Sequence, residues 1–194
     1  MSIVDRVKNL IFAPKAEWSA IDREPGDVPY LFTNYVAILA AIPTICGFIG
    51  MSIIGLQVPG VGTIRMSIAS GLLYAIIFYL LAFATVYVIA LVVDALAPTF
   101  SARKNFESAL KLVVYCFTPA WLAGVFLLLP ALGFLVLIVG LFGLYLLWMG
   151  LPILMKSPPD KLIPYAAAVS IAAIIIYIIF IQIQGAIVGS PQMV

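Results

Sequence analysis

The chain of 194 residues contains no histidine and two cysteines, Cys46 and Cys116. The first absence excludes His-based triads, His-ligated metals and imidazole proton relays. Two thiols inside apolar stretches are too few for a zinc site and unsuited to a disulfide framework. Charge is scarce as well: 9% of residues are charged, against roughly 25% in an average soluble domain. No glycine-rich loop with a following Lys and Ser or Thr is present to cradle phosphate. Neither paired carboxylates within the apolar stretches nor a nucleophile beside a base can be found. These absences point away from an enzyme and call for no cofactor and no metal.

What the sequence has instead is apolar length. Hydrophobic residues make up 65% of it, and the 44 residues between Lys111 and Lys156 carry no charge. About 20 apolar helical residues cross a roughly 30 Å hydrocarbon layer, so that run fits two crossings rather than one. Apolar length predicts helices over Phe32–Leu56, Met66–Leu96, Leu112–Leu129, Gly133–Met155 and Pro164–Val188. A Pro and Gly pair at Pro130-Ala131-Leu132-Gly133 turns the chain between the third and fourth. These runs lack the alternation that a transmembrane barrel requires. The expected fold is all-α: a polytopic integral membrane protein built as a bundle of five transmembrane helices. Residues 1–31 form a short N-terminal amphipathic segment, 32–188 the transmembrane domain and 189–194 a short external tail.

The distribution of basic residues sets the expected orientation. Arg6, Lys8, Lys15 and Arg23 precede the first span, Arg103, Lys104 and Lys111 follow the second, and Lys156 and Lys161 follow the fourth. Arg65 alone falls on the opposite face. Nine basic residues against one predict a cytoplasmic N-terminus, and an odd number of spans then puts the C-terminus outside. Met1 to Leu10 alternates apolar with charged residues and lacks the continuous apolar core of a signal peptide. It reads as an interfacial helix: Ile3, Val4, Val7, Leu10 and Ile11 share one face, and Asp5, Arg6, Lys8 and Asn9 the other. Beyond Pro14, Trp18 and Ile21 are expected as further membrane anchors, with a docking surface for a cytosolic partner as the alternative.

Three features within the spans are candidates for function or packing. Asp94 is a charge near the end of the second span; pairing with Arg103, Lys104 or Lys111 or reach to headgroup water are the two readings. Pro43, Pro119 and Pro152 each free the carbonyl four residues earlier, at Leu39, Tyr115 and Trp148, and predict kinks. Hydroxyls of Tyr115, Thr118, Tyr145 and Tyr165 are near enough in sequence to satisfy them. Ser67, Gly71 and Ala75 on the second span, and Gly185 with Gly189 on the fifth, repeat at the four-residue spacing of helix contacts, internal or between copies. Gln182 and Gln184 are read as interfacial.

Tyr115-Cys116-Phe117-Thr118-Pro119, the Leu129-Pro130-Ala131-Leu132-Gly133 turn, and Tyr145-Leu146-Leu147-Trp148-Met149-Gly150-Leu151-Pro152 with Met155-Lys156-Ser157-Pro158 and Lys161 carry a resemblance. Together with the opening Pro14, Trp18, Ile21 and Glu24, they resemble the Yip family (Ypt/Rab-interacting proteins) in its short prokaryotic form. The resemblance covers nearly the whole chain. It implies five spans, a cytoplasmic N-terminus, a bacterial cytoplasmic (inner) membrane location and no catalysis. Eukaryotic relatives work in vesicle trafficking, interact with Rab-type GTPases and carry a longer N-terminal region. Here only about 31 residues precede the first span, too few for a separate domain, which argues against direct GTPase recruitment. The expected function is association with membrane lipids, anionic ones included, with an unidentified protein partner or with a second copy, and not with nucleic acid. The alternative is a small-solute or ion path with Asp94 and the freed carbonyls around a hydrated cavity.

Overall fold

The structure, a computed structural model, describes residues 2–188. Five helical stretches are long and apolar enough to cross a membrane: Val28–Ile54, Ile68–Phe100, Phe106–Leu128, Pro130–Leu154 and Leu162–Val188. They are the five predicted spans, and they make the chain an all-α polytopic membrane protein. A helix satisfies its own backbone donors and acceptors, which lipid cannot do. The expected external tail, with Gly189, lies outside the described residues.

Several boundaries move for local reasons. The first span starts four residues before the expected Phe32 because Asp27 accepts a hydrogen bond from the Tyr30 N–H at 2.9 Å and caps it. The third starts at Phe106 rather than Leu112: Asn105 is its N-cap, accepting from the Ser108 N–H at 2.9 Å. Lys111, taken from sequence as a polar boundary, lies inside that helix. Pro119 does not kink a continuous helix. It opens a new one, Thr118–Ala123, after a break at Phe117, and Gly124–Leu128 continues in tighter 3-10 turns. Pro43 and Pro152 do lie inside helices.

Between the first two spans the chain forms an antiparallel hairpin that apolar length did not reveal, β1 (Leu56–Val58) with β2 (Gly62–Ile64), in register Gln57↔Thr63. Pro59-Gly60-Val61-Gly62 makes its turn. The hairpin marks one end of the bundle. The other, basic end holds the joint after Phe100, the joint after Leu154 and two N-terminal helices, α1 (Ile3–Phe12) and α2 (Pro14–Arg23).

The core is weighted toward that basic end. Leu10, Trp18, Ile21, Val36, Leu112, Leu146, Leu151 and Tyr165 are all fully buried. Leu10, Trp18 and Ile21 therefore lie in protein, where the sequence reading expected Trp18 and Ile21 to anchor in lipid. The stripe is apolar as predicted, but its partner is the bundle: α2 packs along the fourth span. The exposed large apolar residues of the pair are Val4 and Phe12, the latter 83% exposed at the end of α1.

Candidate functional site

The buried charged side chains among the described residues, Arg6, Glu17 and Lys111, collect where α1 and α2 meet the first and third spans. On α1, Ile3, Val7 and Leu10 face inward, and Arg6 lies among them at helical spacing, buried. Its guanidinium donates to Glu17 of α2 and to Glu24 just beyond α2, forming ion pairs with both. Asn9, one turn on, donates to the other Glu17 oxygen at 2.9 Å. The guanidinium also sits over the ring of Tyr115, 5.4 Å from its centroid. Burial opposes the Arg6 cation, but Glu24, Tyr115 and Glu17 outweigh it and hold its pKa above the ordinary arginine value. Arg6 is therefore charged at every physiological pH, and the α1–α2 pair is clamped by a permanent cation.

Lys111 of the third span reaches the other end of α2. Its ammonium donates to the carbonyls of Ile21, at 3.2 Å, and of Glu24. A cation there satisfies carbonyls that a helix C-terminus leaves unpaired and meets the favourable pole of the helix dipole. Next to it, Tyr115 packs edge-on against Trp18 and Tyr35, with ring centroids 6.2 and 4.9 Å away. The Tyr35 and Thr118 hydroxyls share a 2.8 Å hydrogen bond across the first and third spans.

Trp18 fits because residue 150 is glycine. A Cβ there would lie 2.4 Å from Leu112 and 2.9 Å from the indole, closer than real Cβ atoms approach. Outside this buried group Lys156 pairs with Asp22 at 2.7 Å and donates to the Ile153 carbonyl. This second tie from α2 to the fourth span is half exposed and contributes about 0–1 kcal/mol. A cavity of about 260 Å³ opens beside the buried pairs, lined among others by Arg6, Glu24, Asp27, Tyr30, Lys111 and Tyr115.

Other predicted residues go elsewhere. Asp94 meets none of Arg103, Lys104 or Lys111, and its buried Oδ1 has no hydrogen-bond partner among the described residues. The 3-10 turn Ala97–Phe100 and left-handed Ser101 lead the joint away, and the Arg103 N–H bonds to the Met155 carbonyl at 2.6 Å. Arg103, Lys104 and Lys161 are exposed and make no ion pair among the described residues. Tyr165 donates to the Val93 carbonyl at 2.6 Å rather than to a proline-freed carbonyl. Pro43 is instead packed by the third span: a Cβ on Gly124 would fall 2.6 Å from it. Pro152 lies two residues past Gly150 on the same helix and is half-buried.

Gly71 is a contact within the chain, since a Cβ there would fall 1.9 Å from the Ser52 hydroxyl of the first span. Ser67 caps the second span, accepting from the Ser70 N–H at 3.2 Å. Gly185 faces open space. Gln184, read as interfacial, is buried and donates to the Tyr74 carbonyl at 3.1 Å, linking the second and fifth spans. It borders a second cavity of about 190 Å³, walled by aromatic and aliphatic groups including Phe78, Trp121, Tyr177 and Phe180.

Arg6, Glu17, Glu24 and Gln184 are the residues the sequence reading missed. Arg6 carried a signal: it stands three residues after Ile3 and four before Leu10, on the apolar face rather than the polar one.

The match to known proteins agrees with this architecture. The Yip1 domain matches residues 8–181, from within α1 to within the fifth span. The chain belongs to the Yip1-domain family. Among relatives of this Yip1-domain chain is the inner membrane protein YohC of Escherichia coli (strain K12). The two are 34% identical over 154 residues, covering 77% of this chain and 78% of YohC. YohC of Escherichia coli O6:H1 gives the same figures. No solved structure matches. The family and the five spans make this a multi-pass membrane protein of the Yip1-domain family.

Proposed function

We propose that this protein is a non-enzymatic membrane component that acts by association, and that its basic end, turned to the cytoplasm, meets anionic lipid headgroups or an acidic protein surface. One observation carries the reading. The basic end separates its charges into two sets: Arg6 and Lys111 are buried and held by internal partners, while Arg103, Lys104 and Lys161 stay exposed and unpaired among the described residues. Exposed basic groups beside a membrane attract anionic headgroups by about 1 kcal/mol each. The nine-to-one basic asymmetry supports the cytoplasmic orientation of that end.

Association is favoured over solute passage by where polar groups collect. The cavities between the spans are walled mainly by aliphatic and aromatic side chains, such as Ile89, Val113 and Leu147 in one and Ile45, Phe48 and Leu80 in another. Transport sites place polar groups and irregular backbone near mid-depth. Here the buried charges gather at one end, and the irregular backbone at Phe117 packs against the first and fourth spans.

The test is lipid enrichment around the purified full chain. Neutralising Arg103 and Lys104 to Gln is expected to lower co-purifying anionic lipid severalfold, and unchanged lipid would refute the headgroup contact and leave the acidic protein surface. Orientation is checked separately by cysteine accessibility at positions 104 and 60: labelling of 104 from the periplasm would reverse it.

A further inference from the structure

We infer that the cavity beside Arg6 and Lys111 binds a zwitterionic phosphoamine, a phosphate joined to a primary ammonium, as in the headgroup of phosphatidylethanolamine. The inference shares with the proposed function only the premise that the basic end meets the headgroup layer. It uses different residues.

Arg6, Lys111 and Tyr115 hold unspent hydrogen-bonding capacity. A guanidinium has five N–H donors and an ammonium three. Glu17 and Glu24 take two from Arg6, and two carbonyls take two from Lys111. The Tyr115 hydroxyl has no hydrogen bond among the described residues. Arg6 and Lys111 are each more than nine-tenths buried, so their remaining donors turn to the cavity or go unmet, which is costly. Acceptors also remain. Among the described residues, Glu24 engages one carboxylate oxygen with Arg6 and Asp27 one with the Tyr30 N–H, leaving a second oxygen on each.

The cavity wall carries two cations, Arg6 and Lys111, and two anions, Glu24 and Asp27. A lone phosphate would face the carboxylates, and a lone amine would face the guanidinium and ammonium. A ligand carrying both signs meets each with its opposite. The volume, about 260 Å³, is several times the roughly 30 Å³ share of one water in the liquid. Position agrees as well: the cavity is bounded by Leu31 and Tyr35 at the start of the first span and by Tyr30 at its rim, where membrane proteins place tyrosines at headgroup level.

The experiment uses the full chain in nanodiscs of equal phosphatidylethanolamine, phosphatidylcholine and phosphatidylglycerol, with lipid retained after mild delipidation measured by mass spectrometry. Phosphatidylethanolamine is expected to exceed phosphatidylcholine, whose quaternary amine has no N–H to donate, by about tenfold, the effect of one charge-assisted hydrogen bond. Tyr115→Phe keeps the ring, and Asp27→Asn keeps a capping side chain. Asp27→Asn is expected to erase most of that preference, Tyr115→Phe to lower retention of both lipids severalfold through the phosphate they share, and Lys104→Gln to change neither. Soluble glycerophosphoethanolamine separates the sources. Stabilisation of the detergent-solubilised protein by it would identify a free phosphoamine, and stabilisation by the lipid alone a membrane headgroup. Equal retention of the three lipids by the unaltered protein, without stabilisation by the soluble compound, would overturn the inference. So would a preference that survives Asp27→Asn together with lipid retention that survives Tyr115→Phe.

Discussion

The third and fifth spans invert the rule learned from soluble proteins. The third has the lower mean hydropathy, 1.7, yet 61% of its most apolar stretch is buried in protein; the fifth, at 2.6, has 6% buried. In water the most apolar segment goes to the core, because burial removes it from solvent. In a bilayer lipid tails are as apolar as leucine, so an aliphatic surface gains little by leaving them. Polar groups do gain by finding one another. The third span carries Lys111, Tyr115 and Thr118, and these draw α1, α2 and the first span around it. The fifth offers mostly Ile and Ala, with Tyr165 and Gln184 as its buried polar contacts to the second span.

Three substitutions sharpen that contrast. The largest effect is expected from Arg6→Ala, which leaves Glu17 buried without its cation. Breaking a buried pair this way costs about 3–5 kcal/mol, and unfolding in mixed detergent should register it, with α1 and α2 becoming protease-sensitive. Gly150→Val should cost about 1–3 kcal/mol, because the added side chain overlaps the Trp18 indole and Leu112. A blue-shifted tryptophan emission component should then move to the red as the indole leaves its slot. The smallest effect belongs to the fifth span. Ile178→Ala exchanges one lipid-facing surface for another and should stay within about 0.5 kcal/mol in the same unfolding assay. A loss as large as that of Arg6→Ala would end the distinction between the spans.

Much of the fold was legible because lipid imposes a simple length rule. Uninterrupted apolar runs and the Pro130–Gly133 turn mark the crossings, and basic residues mark one end. The site was less legible. Apolar periodicity in α1 and α2 reports that a face avoids water and says nothing of whether lipid or protein receives it, so Trp18 and Ile21 were expected in the wrong medium. Lys111 read as a boundary because a charge usually ends a span; here two backbone carbonyls of α2 make it tolerable inside. Arg6 and Glu24 are 18 residues apart, and no local pattern joins them. Asp94 was conspicuous because it interrupts an apolar run, yet its helix end turns away from the nearby cations. Conspicuous charge located a cost, whereas the residues that build the site are those whose cost is cancelled by distant partners.

Carbene labelling from a lipid-dissolved diazirine, read residue by residue by mass spectrometry on the unmutated protein in bilayers, reports which apolar faces meet lipid and which meet protein. Carbenes insert into whatever lipid touches. Strong labelling is expected of Phe12 and of Ile171, Ile174 and Ile178, with little at Trp18, Ile21 and Leu110 to Tyr115. Labelling of Trp18 and Ile21 at the level of Phe12 would contradict it, since α2 would then lie on the membrane rather than in the bundle.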